Sequence, residues 1–172
     1  MGQEIGQESR HQPSVVQNEG NEYHMVFSSN GDDNRILYAT SPDGENNWTL
    51  GPDPQQTSGA APALTTYVVV TFGVGLPGQA TITTNLLVLV FIANDPSKRI
   101  LCSILDLLED PNLRGWRYLG QVGGESAQAV TVCSNWNRET VSDDAVTVYF
   151  TANDSSDRIL EHKFIPLPGK IA

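Results

Sequence analysis

Cysteine is almost absent from the chain. Cys102 and Cys133 are the pair, and both stand in apolar, strand-like stretches. With no C-x-x-C spacing, a structural zinc site is excluded. The two read as small buried hydrophobes, with a Cys102–Cys133 disulfide as the alternative. Basic residues are also scarce: ten Lys and Arg against twenty Asp and Glu leave a net charge of −10. A field of that sign repels phosphate, so neither nucleic acid nor an anionic membrane is an expected partner. Long apolar runs are missing. The longest, Leu86 to Ala93, is eight residues, well short of the roughly 20 that span a bilayer as a helix. Residues 1–12 are polar and lack the basic and apolar regions of a signal peptide. A soluble, cytoplasmic protein is therefore expected, with secretion as the alternative. No apolar period of 3.6 extends over a long window. The best helical stretch, Ile104 to Asp110, is short and ends at Pro111, so it reads as a loop or a single turn.

What is abundant is turn and strand chemistry. Gly and Pro together number 25 (15 and 10), which suits a chain that reverses often. Val, Thr, Ile and the aromatics carry the apolar pattern, and they favour pleated, half-buried positions. The fold class is all-β.

Three segments repeat. They begin Val26-Phe27, Val90-Phe91 and Tyr149-Phe150, continue through an Asx-rich turn, and end Arg35-Ile36-Leu37, Arg99-Ile100-Leu101 and Arg158-Ile159-Leu160. The offset from Phe to Arg is eight residues each time, and the copies lie 64 and 59 residues apart. Each reads as a β-hairpin: an aromatic strand, a polar turn, and a return strand. Pro13 to Val16, Pro62 to Thr65 and Gln128 to Thr131 read as an inner strand upstream. Trp48 to Gly51, Trp116 to Gly120 and Phe164 to Leu167 read as an outer strand downstream. Four antiparallel strands per unit is the signature of a β-propeller blade. The blades are placed at about 13–58, 60–125 and 127–172, after a polar extension at 1–12. The second unit carries an insertion at 68–84 and the third one at 135–144. Either is a binding loop or a lengthened hairpin. Three blades are too few to close a ring of four to eight, so pairing into a homodimer with six blades is expected, with one piece of a larger protein or an incomplete copy as the alternative.

With these units in view, the chain resembles the fungal and bacterial fucose-binding lectins, which fold as six-bladed propellers. The matching stretches are Val148-Tyr149-Phe150, the turn Asn153 to Asp157, Ile159-Leu160-Glu161, and Asp43-Gly44 with Trp48 and Gly51. Trp116 and Gly120 match in the second unit. The resemblance implies sugar sites built from an Arg on the aromatic strand, a Glu from the Ile-x-Glu step, and an aromatic ring. Only the third unit keeps the Glu, as Glu161; Tyr38 and Cys102 stand there in the other two, and no aromatic strand carries the Arg. Ser41 to Trp48 also resembles the Asp-box of sialidase-type propellers, which is a structural turn in that family.

The candidate ligand residues follow. Arg35, Arg99 and Arg158 either grip hydroxyls and carboxylates or close their own turns. Glu161 and Tyr38 hold the lectin Glu position. Trp48 and Trp116 sit at repeat positions and either pack or stack on a ligand, while Trp136 lies in a variable loop and is the freer to stack on one. Asp32, Asp33, Asp95 and Asp154 read as plain turns rather than a cation site. His11, His24 and His162 share no metal spacing. Glu161 and His162 are strand neighbours and point to opposite faces. No catalytic residue is nominated, and no metal or cofactor is expected. The function expected is a lectin-like propeller binding carbohydrate or another small ligand at blade clefts. The alternative is a pocket enzyme resembling the propeller pericyclases of fungal biosynthesis, such as hetero-Diels–Alderases, acting on a small hydrophobic molecule. A protein-interaction scaffold is the third class.

Overall fold

The computed structural model describes residues 8–72, 80–109, 115–134 and 145–166. The described residues contain eleven strands and no helix. They form three antiparallel sheets, which do not close on one another. The first sheet is β1 (Ser14–Gln17), β2 (Tyr23–Ser28), β3 (Ile36–Ser41) and β4 (Thr49–Leu50), in chain order. The second is β5 (Ala63–Phe72), β6 (Ala80–Ile92), β7 (Arg99–Asp106) and β8 (Arg117–Glu125), also in chain order. The third holds β9 (Thr131–Ser134), β10 (Val146–Thr151) and β11 (Ile159–Phe164).

The repeated hairpins form as their residues dictate. Asn34, Lys98 and Asp157 each precede the Arg with φ of 51°, 50° and 51°, the left-handed turn conformation that Asn and Asp tolerate best. The closing bonds run from Ser29 N to Arg35 O (2.7 Å), Ala93 N to Arg99 O (2.8 Å) and Ala152 N to Arg158 O (2.9 Å).

Two sequence expectations change here, and one open alternative takes a definite form. Ile104 to Asp106 belong to β7 rather than to a loop, and the chain turns only at Leu107 and Leu108; alternation across a sheet buried on both faces leaves no polar period to reveal the strand. Phe164 is the last residue of β11, opposite Val146. Of the stretch read as a fourth strand of the third unit, Phe164 therefore belongs to the third strand, Ile165 and Pro166 lie outside any strand, and Leu167 onward lies outside the described residues. In the second unit the insertion lengthens two strands: β5 and β6 stay paired out to Phe72↔Ala80, with a register shift between Val69 and Val70. The insertion at 135–144 lies outside the described residues.

Packing explains why the second sheet is so apolar. One face, with Leu87, Leu89, Phe91, Leu101 and Leu105, meets Val26, Ile36 and Tyr38 of the first sheet. The other, with Val88, Val90, Ile92, Ile100 and Cys102, meets Val146, Val148, Phe150 and Phe164 of the third. A strand covered on both sides needs apolar residues at every position, hence the unbroken run at 86–93. Each such side chain contributes about 1.5–3 kcal/mol by leaving water. Both cysteines are free thiols, with Cys102 buried and Cys133 half-buried. Burial among hydrocarbon pushes the Cys102 thiol well up and keeps it protonated.

Short linkers stitch the sheets together. Ser58 N–H donates to Asn34 O and Ser126 N–H to Lys98 O, both at 3.0 Å. Each serine hydroxyl then donates within its own linker, to Ala60 O and to Gln128 O, both at 2.7 Å. Both serines are wholly buried.

Candidate functional site

All three hairpin arginines are engaged, Arg99 and Arg158 by their own turns and Arg35 chiefly by Asp53 beyond its turn. Arg158 Nε donates to Ser156 Oγ (2.8 Å) and Nη2 to Asp154 Oδ2 (3.1 Å). Arg99 Nε donates to Ser97 Oγ (2.9 Å), with Nη2 3.5 Å from Asp95. Arg35 pairs with Asp53 and lies 3.9 Å from Asp33. Serine hydroxyls donating to these carboxylates, followed by backbone N–H groups, hold Asp95 and Asp154 below the ordinary aspartate range. The same hydroxyl effect, from Ser29, acts on Asp33. The guanidiniums remain half-exposed, but their donors already serve the turn.

The stretch resembling an Asp-box folds as a tight turn closed on Asp43. Asp43 Oδ1 accepts from the N–H of Asn46 (2.7 Å) and Glu45 (3.0 Å), and Gly44 turns at φ 73°. These backbone donors, Asn46 first, pull the Asp43 carboxyl down. The turn carries Trp48 onto the first sheet, where it packs against Met25, Phe27 and Ala39.

The lectin Glu position takes three forms. Tyr38 is 3% exposed and fills the junction between the first and second sheets. Its hydroxyl lies 2.8 Å from Nδ1 of the buried His24, whose Nε2 lies 3.6 Å from Glu22. Trp116 meets the Tyr38 ring edge-on, with centroids 5.4 Å apart. Gly51 permits this placement, because a Cβ there would stand 2.5 Å from the Tyr38 ring. Cys102 is likewise sealed, between the second and third sheets. Glu161 alone faces solvent, since no sheet among the described residues covers that face of the third. Directly across the strand pair stands Tyr149, 40% exposed. A carboxylate and an open aromatic ring on one face can accept from hydroxyls while stacking on an apolar ring face.

The structure thus brings Tyr38 and Trp116 together, places Trp48 apart on the opposite face of the first sheet, and leaves Arg158 in its turn rather than beside Glu161. Trp136 lies outside the described residues. His24 and Tyr149 were not singled out by their sequence. Tyr149 has a signal in hindsight: it stands where the other copies have Val26 and Val90, in the same unit that keeps the Glu. One open cavity of about 210 Å³ sits elsewhere, at the inner strands, lined by Gln17, Asn18, Glu19, Thr66, Val68 and Ser134. It includes none of the nominated residues. Among the described residues no cluster of His, Cys, Asp or Glu has the arrangement of a metal site.

No family model matches the sequence, and no curated protein matches it. The fold does have a solved counterpart. It is similar to a fucose lectin from Kordia zhangzhouensis in complex with methyl-fucoside, with a TM-score of 0.56 and 14% identity over 92% of this chain and 94% of that one. At that identity the likeness is one of lectin-like, all-β architecture.

Proposed function

We propose that the chain is a carbohydrate-binding protein of β-propeller type, with its sugar site on the open face of the third sheet. The observation that carries the reading is the Glu161–Tyr149 pair, exposed and in cross-strand register, in the one unit that keeps the lectin Glu. The fold-level likeness to a lectin solved with methyl-fucoside supports it. Glu161 accepts hydrogen bonds from sugar hydroxyls, and Tyr149 stacks on the apolar face of the ring. Tyr38 and Cys102 make the other two junctions hydrophobic seals, so the stoichiometry is one site per chain. The pocket-enzyme alternative draws no support from the comparison.

Titration calorimetry with methyl-fucoside and a panel of other methyl glycosides tests this. One site per chain is expected. A charge-assisted hydrogen bond contributes about 1.5–3 kcal/mol, so Glu161→Gln weakens binding roughly 10- to 100-fold. Binding of a sugar with Glu161→Gln and Tyr149→Ala both at wild-type affinity would refute the site, and silence across the panel would refute the function.

A further inference from the structure

We propose that the cavity at the inner strands is a second ligand site, one that takes a small polyol carrying a primary ammonium group, such as an amino sugar. It lies apart from the open face of the third sheet and does not depend on the sugar site placed there.

The cavity is built from strand edges. Gln17 ends β1, Asn18 and Glu19 follow it, Thr66 and Val68 belong to β5, and Ser134 ends β9. One inner strand of each sheet therefore contributes. Within its sheet β1 pairs with β2 alone and β5 with β6 alone, so each keeps an unpaired edge. In an antiparallel ladder the N–H and C=O of one residue point to the same side, and the side alternates along the strand. Two bonds fix the phase on β5. Leu64 N–H leaves the sheet and donates to Ser14 Oγ (3.0 Å). Asn85, opposite Val68, turns its carbonyl the other way and accepts from Leu107 N–H (2.8 Å). The N–H and C=O of Leu64, Thr66 and Val68 hence point away from β6. On β1, Asn18 N–H donates toward β2, to Glu22 O (3.0 Å), which leaves those of Gln17 pointing outward. The Ser14–Leu64 bond ties β1 to β5, and the cavity stands further along the same two strands.

Its polar groups are free and its rim is held. Among the described residues, the Thr66 and Ser134 hydroxyls and the Glu19 carboxylate make no hydrogen bond or ion pair. The turn that carries Glu19 is closed on both sides of it. Asn18 Oδ1 accepts from Glu22 N–H (2.9 Å), and Asn18 O accepts from Asn21 N–H (3.1 Å), with Asn21 at φ 61°. Val68, 8% exposed, is the apolar member of the lining.

These groups select the ligand. Edge N–H and C=O groups beside two hydroxyls suit a molecule with several hydroxyls, since each can both donate and accept. Glu19 is the ionisable group of the lining, and an ammonium gives it an opposite charge with three donors. The net charge of −10 draws a cation in and repels an acidic sugar. A volume of about 210 Å³ is smaller than the roughly 300–1,000 Å³ of a drug-sized site, so it admits one ring, with Val68 against its apolar face.

Titration calorimetry with glucosamine and glucose, which differ only in the amine, tests the site on the full chain at about pH 6, where the amine is charged. The titrations use Glu161→Gln, which disables the third-sheet site, so that the remaining heat comes from the inner strands. One glucosamine per chain is expected, with glucose weaker by a factor of about ten or more, the scale of one charge-assisted hydrogen bond. Adding Glu19→Gln should weaken glucosamine by a similar factor, and adding Thr66→Val should weaken it severalfold. Circular dichroism should not change, because Glu19 is exposed and Thr66 is half-buried. No glucosamine binding in Glu161→Gln overturns the proposal, as does equal binding of glucose. Undiminished affinity on adding either Glu19→Gln or Thr66→Val also overturns it. Methyl glycosides that fail to bind the wild-type chain, while glucosamine binding still depends on Glu19, sink the third-sheet reading alone.

Discussion

Tyr38 and Glu161 occupy the same position in two copies of one unit, and their surroundings are opposite. Tyr38 sits under a following sheet, with its hydroxyl on His24 and its ring against Trp116. Glu161 lies under no sheet of the described residues and faces water beside Tyr149. The difference shows how a repeat divides labour. A covered copy turns its cleft into packing and can lose its polar residue at no cost. An uncovered copy can keep a charged group, because in water the charge stays solvated, whereas burying it without a partner would cost several kcal/mol.

The sharpest way to break this comparison is to truncate the shared isoleucine. Ile100→Ala should cost about 2–5 kcal/mol in denaturant unfolding, since it opens a cavity between two sheets. Ile159→Ala should cost about 0.5 kcal/mol or less. Equal costs would mean that the third sheet is not open. A smaller effect tests the Tyr38 seal. Gly51→Ala drives a methyl into the Tyr38 ring and should cost about 1–3 kcal/mol, the usual penalty of overpacking. The penalty should shrink in a Tyr38→Ala background, and an unchanged penalty would place its origin elsewhere. At Gly120 the added methyl meets nothing within 4 Å, but φ is +114°, so alanine there suffers from backbone strain instead.

The smallest effect concerns what the copies have in common. Asp33, Asp43, Asp95 and Asp154 are all held below the usual aspartate value. A carboxyl lowered in the folded state contributes stability that is complete above its unfolded pKa of about 3.9 and disappears as pH falls through the folded value. The melting temperature should therefore hold down to about pH 4 and decline below it. Asp43→Asn should flatten part of that decline, and an unaltered acid profile in this variant would remove the Asp-box turn from the account.

Much of this was legible in the residues. The Phe-to-Arg offset located three hairpins, and turn chemistry located their reversals, because left-handed dihedrals restrict which residues can stand there. The arginines read as turn closers or as ligand residues, and their repetition at a fixed offset favours the first. Deciding between them required the positions of Ser97, Ser156 and the turn carboxylates. Ile104 to Asp106 read as irregular because a strand buried on both faces loses its alternation. Trp48 and Trp116 share a motif, yet one packs on an open face and the other inside a junction.

Sequence alone determined the local units: all-β class, three copies, hairpins closed at Arg-Ile-Leu, and a lectin-like Glu in one copy. These follow from short-range sterics and hydrogen bonding, which a few adjacent residues specify. Tertiary structure decided which copy of an equivalent position is buried. That depends on whether another sheet stacks over it, a contact made by residues far along the chain. Tyr38, Cys102 and Glu161 could be aligned from the sequence, but only the stacking of the sheets made the first two into core and the third into a candidate site.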